Sequence, residues 1–373
     1  MKVIHVMREQ KFLLPVVDFY NQHFQNGEHS ILYVNQTGKA SLKRDVVTLP
    51  QDEIYLSNRF SMKEAKQLYR MIASYDYIVL HSMFISSGMK LLLSLKRSLL
   101  KKMVWIEWGY DLYSWRPEGS GIKTRLLTII NRKIRTDCNT FVGIFEPDCD
   151  FYREQFPNSK AKIFYAKYCG PKIPEEYLHY APECRLEQTK QNGEPIYIQV
   201  GHQATSMLNH ISVLEQLRRF SDENIMLFLP LNYGNQAYGD TVQQYAEEHF
   251  PGKVICLREM LPKTEYFALL KRVDIAIFDT PRQIALANIN HLIFQNVKLY
   301  LSPEGVMYQY FLNHGVPVQN TASLSDCSFE ALTEYVPPHD EESFRLYIRS
   351  LSNKQVHIDA WTKIYDELRN QLK

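Results

Sequence analysis

The chain has no Cys-x-x-Cys pair. Its six cysteines stand far apart, at 138, 149, 169, 184, 256 and 327, a spacing that argues against zinc and dithiol chemistry and suits buried thiols in a reducing cytoplasm. It also lacks the run of about 18 apolar residues that a membrane-spanning helix needs; the most apolar stretch, 77–89, is closed by Asp76 and Lys90. Nor does the start read as a signal peptide, because Arg8, Glu9 and Lys11 interrupt it. There is no marked excess of one charge. At 23% charged residues and a net charge of +2, the composition is that of a globular protein, not of a disordered or nucleic-acid-coating one. Low-complexity tracts, short repeats and the dinucleotide-binding pattern GxGxxG are absent.

What is present is enough for two cores: 373 residues, 45% hydrophobic and 13% aromatic. Short apolar runs rich in Val, Ile and aromatics at 3–7, 30–34, 77–81, 103–108 and 140–145 read as buried strands. Helical patterns lie between them, at 13–24, 62–73, 86–96 and 122–135. The stretch 170–195, with four prolines and two glycines, breaks the rhythm and reads as a linker over 171–195. Strands then resume at 196–200, 224–229, 253–257, 273–278 and 298–301, with helices at 210–219, 238–249, 263–271 and 284–295. A last helix is expected at 357–372. The expected organisation is an N-terminal Rossmann-like domain over 1–170, a C-terminal one over 196–350 and a closing segment over 351–373. Such α/β alternation builds parallel sheets covered by helices, with ligands beyond the carboxyl ends of the strands.

Three segments of the second half sit at strand ends. Gly201-His202-Gln203 follows the first strand, where a glycine lets the backbone turn close to a phosphate, and the helix opening at Asn209-His210 offers amides to an anion. Asn232-Tyr233-Gly234 follows the second. Arg282-Gln283 follows the fourth, and a guanidinium there suits a pyrophosphate and the charge of a departing nucleoside diphosphate. Locally, a plain turn, a surface loop or a salt-bridged arginine explains each as well.

In the first half, Trp105-Ile-Glu-Trp-Gly-Tyr-Asp-Leu-Tyr113 runs from a strand into a polar-aromatic cluster. Trp108, Tyr110 and Tyr113 could stack on a sugar, and Asp111, or second to it Glu107, could take a proton from an acceptor hydroxyl, given a pKa raised by partial desolvation. His5 and His81 lie on strands and could line the same mouth, although a core role is the commoner one for a strand histidine. Asp148-Cys149-Asp150 spells a DxD metal motif, but after Pro147 the simpler reading of Asp148 is a helix N-cap. No metal is expected.

Residues 90–135 hold eleven Lys/Arg against three acids, a net of +8 that leaves the remainder at −6. Interleaved with Leu91–Leu95 and Leu99-Leu100, this region could dock on anionic lipid or form a solvated helix face. No nucleic-acid motif accompanies it.

Taken in order, Trp108-Gly-Tyr-Asp-Leu-Tyr113, Val200-Gly-His-Gln203, Asn209-His210, Leu229-Pro-Leu-Asn-Tyr-Gly234, Leu257-Arg258-Glu259, Tyr266, Arg282-Gln283 and Gly315-Val-Pro317 resemble the enterobacterial-common-antigen Fuc4NAc transferases, also called 4-alpha-L-fucosyltransferases. The likeness extends over about 75–320, and Ile4-His5-Val6 also fits. It departs at Ile284–Asn288, where the family tends to carry a glycine-containing stretch, and at Ala204-Thr-Ser206, which lacks the family's acidic and arginine character. The resemblance implies a GT-B fold of two facing Rossmann-like domains, with the donor in the C-terminal one and the acceptor in the N-terminal one. It further implies a dTDP-linked amino-deoxy donor, an undecaprenyl-diphosphate-linked saccharide acceptor, and no metal or other cofactor.

The expectation is therefore a metal-independent glycosyltransferase, peripheral on the cytoplasmic face of the membrane and binding no nucleic acid. Gly201, His202, Asn209, His210 and Arg282 would hold the diphosphate, Tyr233 and Tyr266 would flank base or sugar, and Asn232, Arg258 and Gln283 would complete the donor site. A nucleotide-sugar epimerase and a non-catalytic bilobed binding protein are the alternatives.

Overall fold

The computed structural model describes residues 1–8, 13–24, 27–34, 39–43, 53–55, 62–169, 180–181 and 185–373. The chain forms two compact units: Met1–Pro171 with Lys354–Lys373, and Lys172–Asn353.

The first unit carries strands β1 (Val3–Arg8), β2 (His29–Val34), β3 (Lys39–Lys43), β4 (Glu53–Tyr55), β5 (Tyr77–His81), β6 (Met103–Ile106), β7 (Thr140–Gly143) and β8 (Lys162–Tyr165) in one sheet of order β4-β3-β2-β1-β5-β6-β7-β8. Pairing is parallel from β2 to β8 and antiparallel only where β3 and β4 extend the edge. The central strands β5, β6 and β7 are buried along their whole length, as strands covered on both faces must be. One core lies under the helices Ser87–Leu95 and Ile122–Asp137, around Trp105, Phe141 and Tyr152. The other lies under Leu13–His23 and Lys354–Asn370. That last helix closes the chain onto the first unit: Trp361, Ile364, Tyr365 and Leu368 are buried there, and the Trp361 indole donates to the Lys167 carbonyl at 3.0 Å.

The second unit holds β9 (Ile196–Val200), β10 (Ile225–Pro230), β11 (Val254–Leu257), β12 (Ile275–Phe278), β13 (Lys298–Leu301) and β14 (Val318–Asn320), all parallel, in the order β11-β10-β9-β12-β13-β14. The chain steps outward from β9 to β11 and then returns to β12, so the order reverses between β9 and β12. In the first unit the same reversal falls between β1 and β5.

Part of the expected linker is ordered structure. Residues Arg185–Gln191 form a helix with Leu186 buried, tied to the second sheet by Thr189 Oγ1 and Arg185 Nε on the Asp274 carboxylate, at 2.9 and 3.2 Å. The rest of that expectation, at 170–179 and 182–184, lies outside the described residues. The strands β3, β4, β8 and β14 have no counterpart in the sequence reading: they are short and lie at or beside sheet edges, where few residues need be apolar.

Candidate functional site

In an open parallel sheet, ligands lie beyond the carboxyl ends of the strands where the order reverses. In the second unit these are the ends of β9 and β12. Gly201, the first residue past β9, has φ +66 and donates its N–H to the Ile277 carbonyl at 2.9 Å. A Cβ there would lie 2.4 Å from Nε2 of His210, so glycine is required both by the turn and by the imidazole behind it. The following loop is pinned to the one after β10: Ala204 N–H donates to the Tyr233 carbonyl at 2.8 Å and Asn235 N–H to the Ala204 carbonyl at 2.7 Å. Gly234, at φ +103, leaves no room for a Cβ against Ala204.

Asn209 adopts the left-handed conformation at the start of the helix His210–Leu217. Its side-chain amide donates to Asp279 at 3.0 Å, and the other Asp279 oxygen accepts from the Thr321 hydroxyl at 2.8 Å. One carboxylate just beyond β12 thus joins the loops that follow β9 and β14. The turn after β13 joins them as well, since Gly305 sits where a Cβ would be 2.5 Å from the Thr280 carbonyl. Arg282 and Gln283, in the β12 loop, are buried. His202 is buried with its ring edge-on to Tyr233, centroids 5.9 Å apart. Tyr266 accepts from the Asn288 amide at 3.0 Å. Burial pushes the phenols of Tyr233 and Tyr266 above their ordinary range, and for Tyr233 the nearby Tyr266 adds to it.

Gly201, His202, Asn209, His210, Arg282 and Gln283 therefore lie on the loops that meet at the β9–β12 crevice, with Tyr233 against His202. Asn232 is bonded through its amide to Met260 Sδ at 3.3 Å. Arg258, beyond the edge strand β11, is drawn to the helix Gln236–His249, where it pairs with Asp240 and bonds Gln236 Oε1 at 3.1 Å. Asp279, Gly305 and Thr321 escaped the sequence reading. Asp279 and Gly305 each stand between a strand and a helix, and that position was the available signal.

In the first unit, Gly109 (φ +72) turns the chain out of β6 into the short helix Tyr110–Tyr113. Asp111 in that helix is buried, and its carboxylate accepts three N–H donors: Met83 and the Trp105 indole on Oδ2, at 2.7 and 2.9 Å, and Trp108 on Oδ1, at 2.7 Å. This carboxylate binds the loop after β5 to the loop after β6. The carboxyl that burial holds well above the usual range is Glu107, with Asp148 and Asp111 adding like charge. Glu107 accepts the N–H groups of Gly109 and of Ile144, the latter at 2.8 Å, and shares a hydrogen bond with the Asp148 carboxyl.

Asp148 is not an N-cap. Phe145 is the N-cap residue of the helix Glu146–Gln155, Asp148 lies in the first turn, and its side chain turns inward to accept from the Tyr113 hydroxyl at 2.5 Å. Asp150 is exposed and paired with Arg153, so the two acids of the DxD face different surroundings. Tyr110 is half exposed and stacks on Phe84 at 5.8 Å.

His5 and His81 are both buried. They are joined through Nδ1 and Nε2 at 2.9 Å, and His5 Nε2 meets His29 Nδ1 at 2.9 Å. His81 Nδ1 lies 2.9 Å from the Tyr168 hydroxyl, and the Tyr168 ring stands edge to face with Trp108 at 5.3 Å.

The model of one family, 4-alpha-L-fucosyltransferase glycosyl transferase group 56, matches residues 14–335. The chain belongs to that family. As a 4-alpha-L-fucosyltransferase relative it shares its fold with solved glycosyltransferases at low identity. The trehalose-6-phosphate synthase of Burkholderia multivorans superposes with a TM-score of 0.63 at 11% identity, covering 100% of this chain and 97% of that one. Anabaena HepE, solved in complex with UDP, gives 0.61 at 8% identity, with 99% and 100% covered. WaaG, a glycosyltransferase of lipopolysaccharide biosynthesis, gives 0.58 at 10% identity, with 99% of each chain covered. The protein is a glycosyltransferase of GT-B fold.

Proposed function

We propose that this glycosyltransferase moves a dTDP-linked amino-deoxy sugar of the Fuc4NAc kind onto a lipid-linked saccharide in the biosynthesis of a cell-surface polysaccharide, with no metal or other cofactor. The observation that carries the donor half is the convergence of the loops after β9, β12, β13 and β14, held by Asp279 between Asn209 and Thr321. The Gly201 turn, the amides at the start of the helix His210–Leu217 and the Arg282 guanidinium supply what a nucleoside diphosphate needs. His202, Tyr233 and Tyr266 would face the base or sugar, with Asn232, Gln283 and Arg258 outside them.

The acceptor belongs to the first unit, at Trp108, Tyr110 and Tyr113. Transfer forms the bond from the acceptor oxygen to the sugar carbon as the bond to the diphosphate breaks; the diphosphate keeps the electron pair and the acceptor hydroxyl gives up its proton. Both carboxyls put forward for that proton are buried and bonded, Asp111 to three N–H donors and Glu107 to two N–H donors and the Asp148 carboxyl. We assign Asp111 positioning, and assign the base role to Glu107, whose proton affinity is raised in the direction a base near neutral pH requires.

The acceptor's lipid places the enzyme on the cytoplasmic membrane face. The helices Ser87–Leu95 and Ile122–Asp137 touch and expose Leu91, Leu95, Ile122, Leu126 and Ile129, among them Ile122 at 87%. Exposed Lys96, Arg97, Lys123, Arg125, Arg132 and Lys133 lie in the same region. Arg135 does not contribute, being buried over Trp105. Among described residues, no helix is long and apolar enough to cross a membrane.

Thermal shift with dTDP, UDP and GDP tests the donor. A nucleotide at 100 times its Kd adds about 2.7 kcal/mol of stability. Preference for dTDP supports the reading, preference for UDP or GDP discards the sugar, and stabilisation by none of them discards the donor site.

A further inference from the structure

Gln199 stands in the middle of the second sheet and is fully buried. In the register of β9 with its two neighbours it pairs with Phe228 of β10 and Ala276 of β12, both buried. Side chains alternate along a strand, so Ile198 and Val200 face the core that holds Val213, Leu214 and Val242, and Gln199 takes the opposite face. The row Phe228–Gln199–Ala276 thus places an amide between two apolar residues, where it costs free energy unless it is bonded.

The amide is only half bonded. Its Nε2 donates to the Gly201 carbonyl at 2.8 Å, whereas Oε1 is buried with no hydrogen-bond partner among the described residues. The orientation is fixed by the partner: a carbonyl only accepts, so the NH₂ end has to face Gly201. A buried amide with an open oxygen is a poor stabiliser, and stability alone does not account for it.

What it holds is the turn at the carboxyl end of β9. Two peptide planes meet at Gly201. The sheet fixes the first, since the Gly201 N–H donates to the Ile277 carbonyl at 2.9 Å. Gln199 fixes the second, between Gly201 and His202. The His210 ring closes the remaining side, against the Gly201 Cα. A trans peptide is planar, with its C=O and N–H pointing opposite ways. The Gly201 carbonyl turns back to the buried amide, so the His202 N–H is directed away from the core.

We propose that Gln199 is a positioning residue for the donor diphosphate: by holding the Gly201 carbonyl it fixes the plane of the Gly201–His202 peptide, and with it the path of the loop into the β9–β12 crevice. Gln199 touches no substrate and acts through that peptide. This rests on the reading that places the diphosphate at the Gly201 turn.

Binding titrations on the full chain test it. Wild type titrated with dTDP, UDP and GDP identifies the nucleotide bound most tightly, and the variants are compared on that one. Gln199→Met keeps the length of the side chain but donates nothing. Folded Gln199→Met should bind the nucleotide about tenfold more weakly, the scale of one hydrogen bond, and should raise the donor KM with the acceptor KM unchanged. Gln199→Glu adds a readout that packing alone would not move. Protonated, a buried carboxyl donates to the Gly201 carbonyl as the amide does; ionised, it repels it. Burial raises a glutamate toward the neutral range, so the loss relative to wild type at the same pH should be small near pH 6.5 and larger near pH 8.5. If Gln199→Met does not fold, that pH dependence decides. Wild-type affinity in folded Gln199→Met, or a Gln199→Glu loss that does not change with pH, overturns the proposal and leaves the donor site standing. Binding of none of the three nucleotides by wild type overturns the donor-site reading, and the positioning role with it.

Discussion

Glu107 and Asp148 hydrogen-bond to one another inside the first unit, carboxyl to carboxyl. Such a pair must hold a proton, because two buried carboxylates cannot both ionise in contact. Burial is the first cause of the raised proton affinity of Glu107, and the neighbouring Asp148 the second. A group whose folded pKa lies above its unfolded one stabilises fully below the unfolded value, about 4.3 for a glutamate, and loses that contribution as pH rises through the folded value. Glu107→Gln removes this loss, but it orphans one of the backbone N–H groups of Gly109 and Ile144, at a cost of about 1–3 kcal/mol. Urea midpoints should therefore show a deficit at pH 5 that narrows at pH 8. A deficit that widens would mean that the folded protein holds Glu107 ionised.

Asp111 separates positioning from chemistry. Its carboxylate satisfies Met83, Trp105 and Trp108, and an amide oxygen cannot replace both carboxylate oxygens. Asp111→Asn should lower the melting temperature, since each buried N–H left without an acceptor costs about 1–3 kcal/mol, and should shift the fluorescence of Trp105 together with any loss of turnover. Loss of turnover with the melting temperature intact would restore Asp111 as the base.

These two carboxyls show what the sequence could and could not convey. Glu107, Asp111 and the Trp108–Tyr113 cluster were legible because they follow an apolar run and contain a glycine, which marks a strand end. Their roles were not legible. Which carboxyl accepts three N–H groups and which faces another acid depends on Met83, Ile144 and Asp148, brought in from the turns after β5 and β7. Asp148 itself resembled a cap because Pro147 precedes it, and only the inward turn of its side chain toward Tyr113 separates the two readings. His29 and Tyr168 gave no signal, for their hydrogen bonds to His5 and His81 arise only when the strands and the segment after β8 come together. The parallel strands between β1 and β7 and between β9 and β13 were legible from composition, whereas β3, β4 and β14 lacked the apolar runs that burial imposes.

Gly201 tests the donor loop. At φ +66 an alanine pays backbone strain of about 1 kcal/mol, and its Cβ meets the His210 ring. Gly201→Ala should be destabilised and lose most of the thermal shift given by its preferred nucleotide. His210→Ala in the same chain should relieve the clash but not the backbone strain, so stability should recover in part. Full nucleotide binding in Gly201→Ala would remove this turn from the donor site.

Membrane docking is tested on the face formed by Ile122, Leu126 and Ile129. Co-sedimentation with vesicles containing phosphatidylglycerol should exceed that with neutral vesicles and fall with salt, since a basic residue near an anionic surface contributes about 1 kcal/mol. Leu126→Glu with Ile129→Glu should reduce binding without lowering the melting temperature, both side chains being exposed. Equal binding to neutral and anionic vesicles would refute a role for the basic region.

Acid should unfold the protein through its buried histidines. Burial is the first cause of lowered proton affinity in His5, His29, His81 and His210, and brings His29 and His210 to about 4 and His81 to about 3. Around His29, Glu28 opposes the shift while Arg369 and the N-terminal amine add to it. In the unfolded chain each imidazole takes up a proton near pH 6.5, while the folded protein refuses it until much lower pH. The unfolded state therefore binds more protons, and stability rises with pH across that interval. It is fully present above about 6.5 and is lost as pH falls toward 4, by up to about 1.4 kcal/mol per pH unit for each histidine. Urea midpoints taken from pH 7.5 down to pH 5 should fall steeply below 6.5, and His210→Gln should make the slope shallower. A midpoint that stays flat over that range would show that these imidazoles take up protons as readily in the folded protein as in the unfolded one.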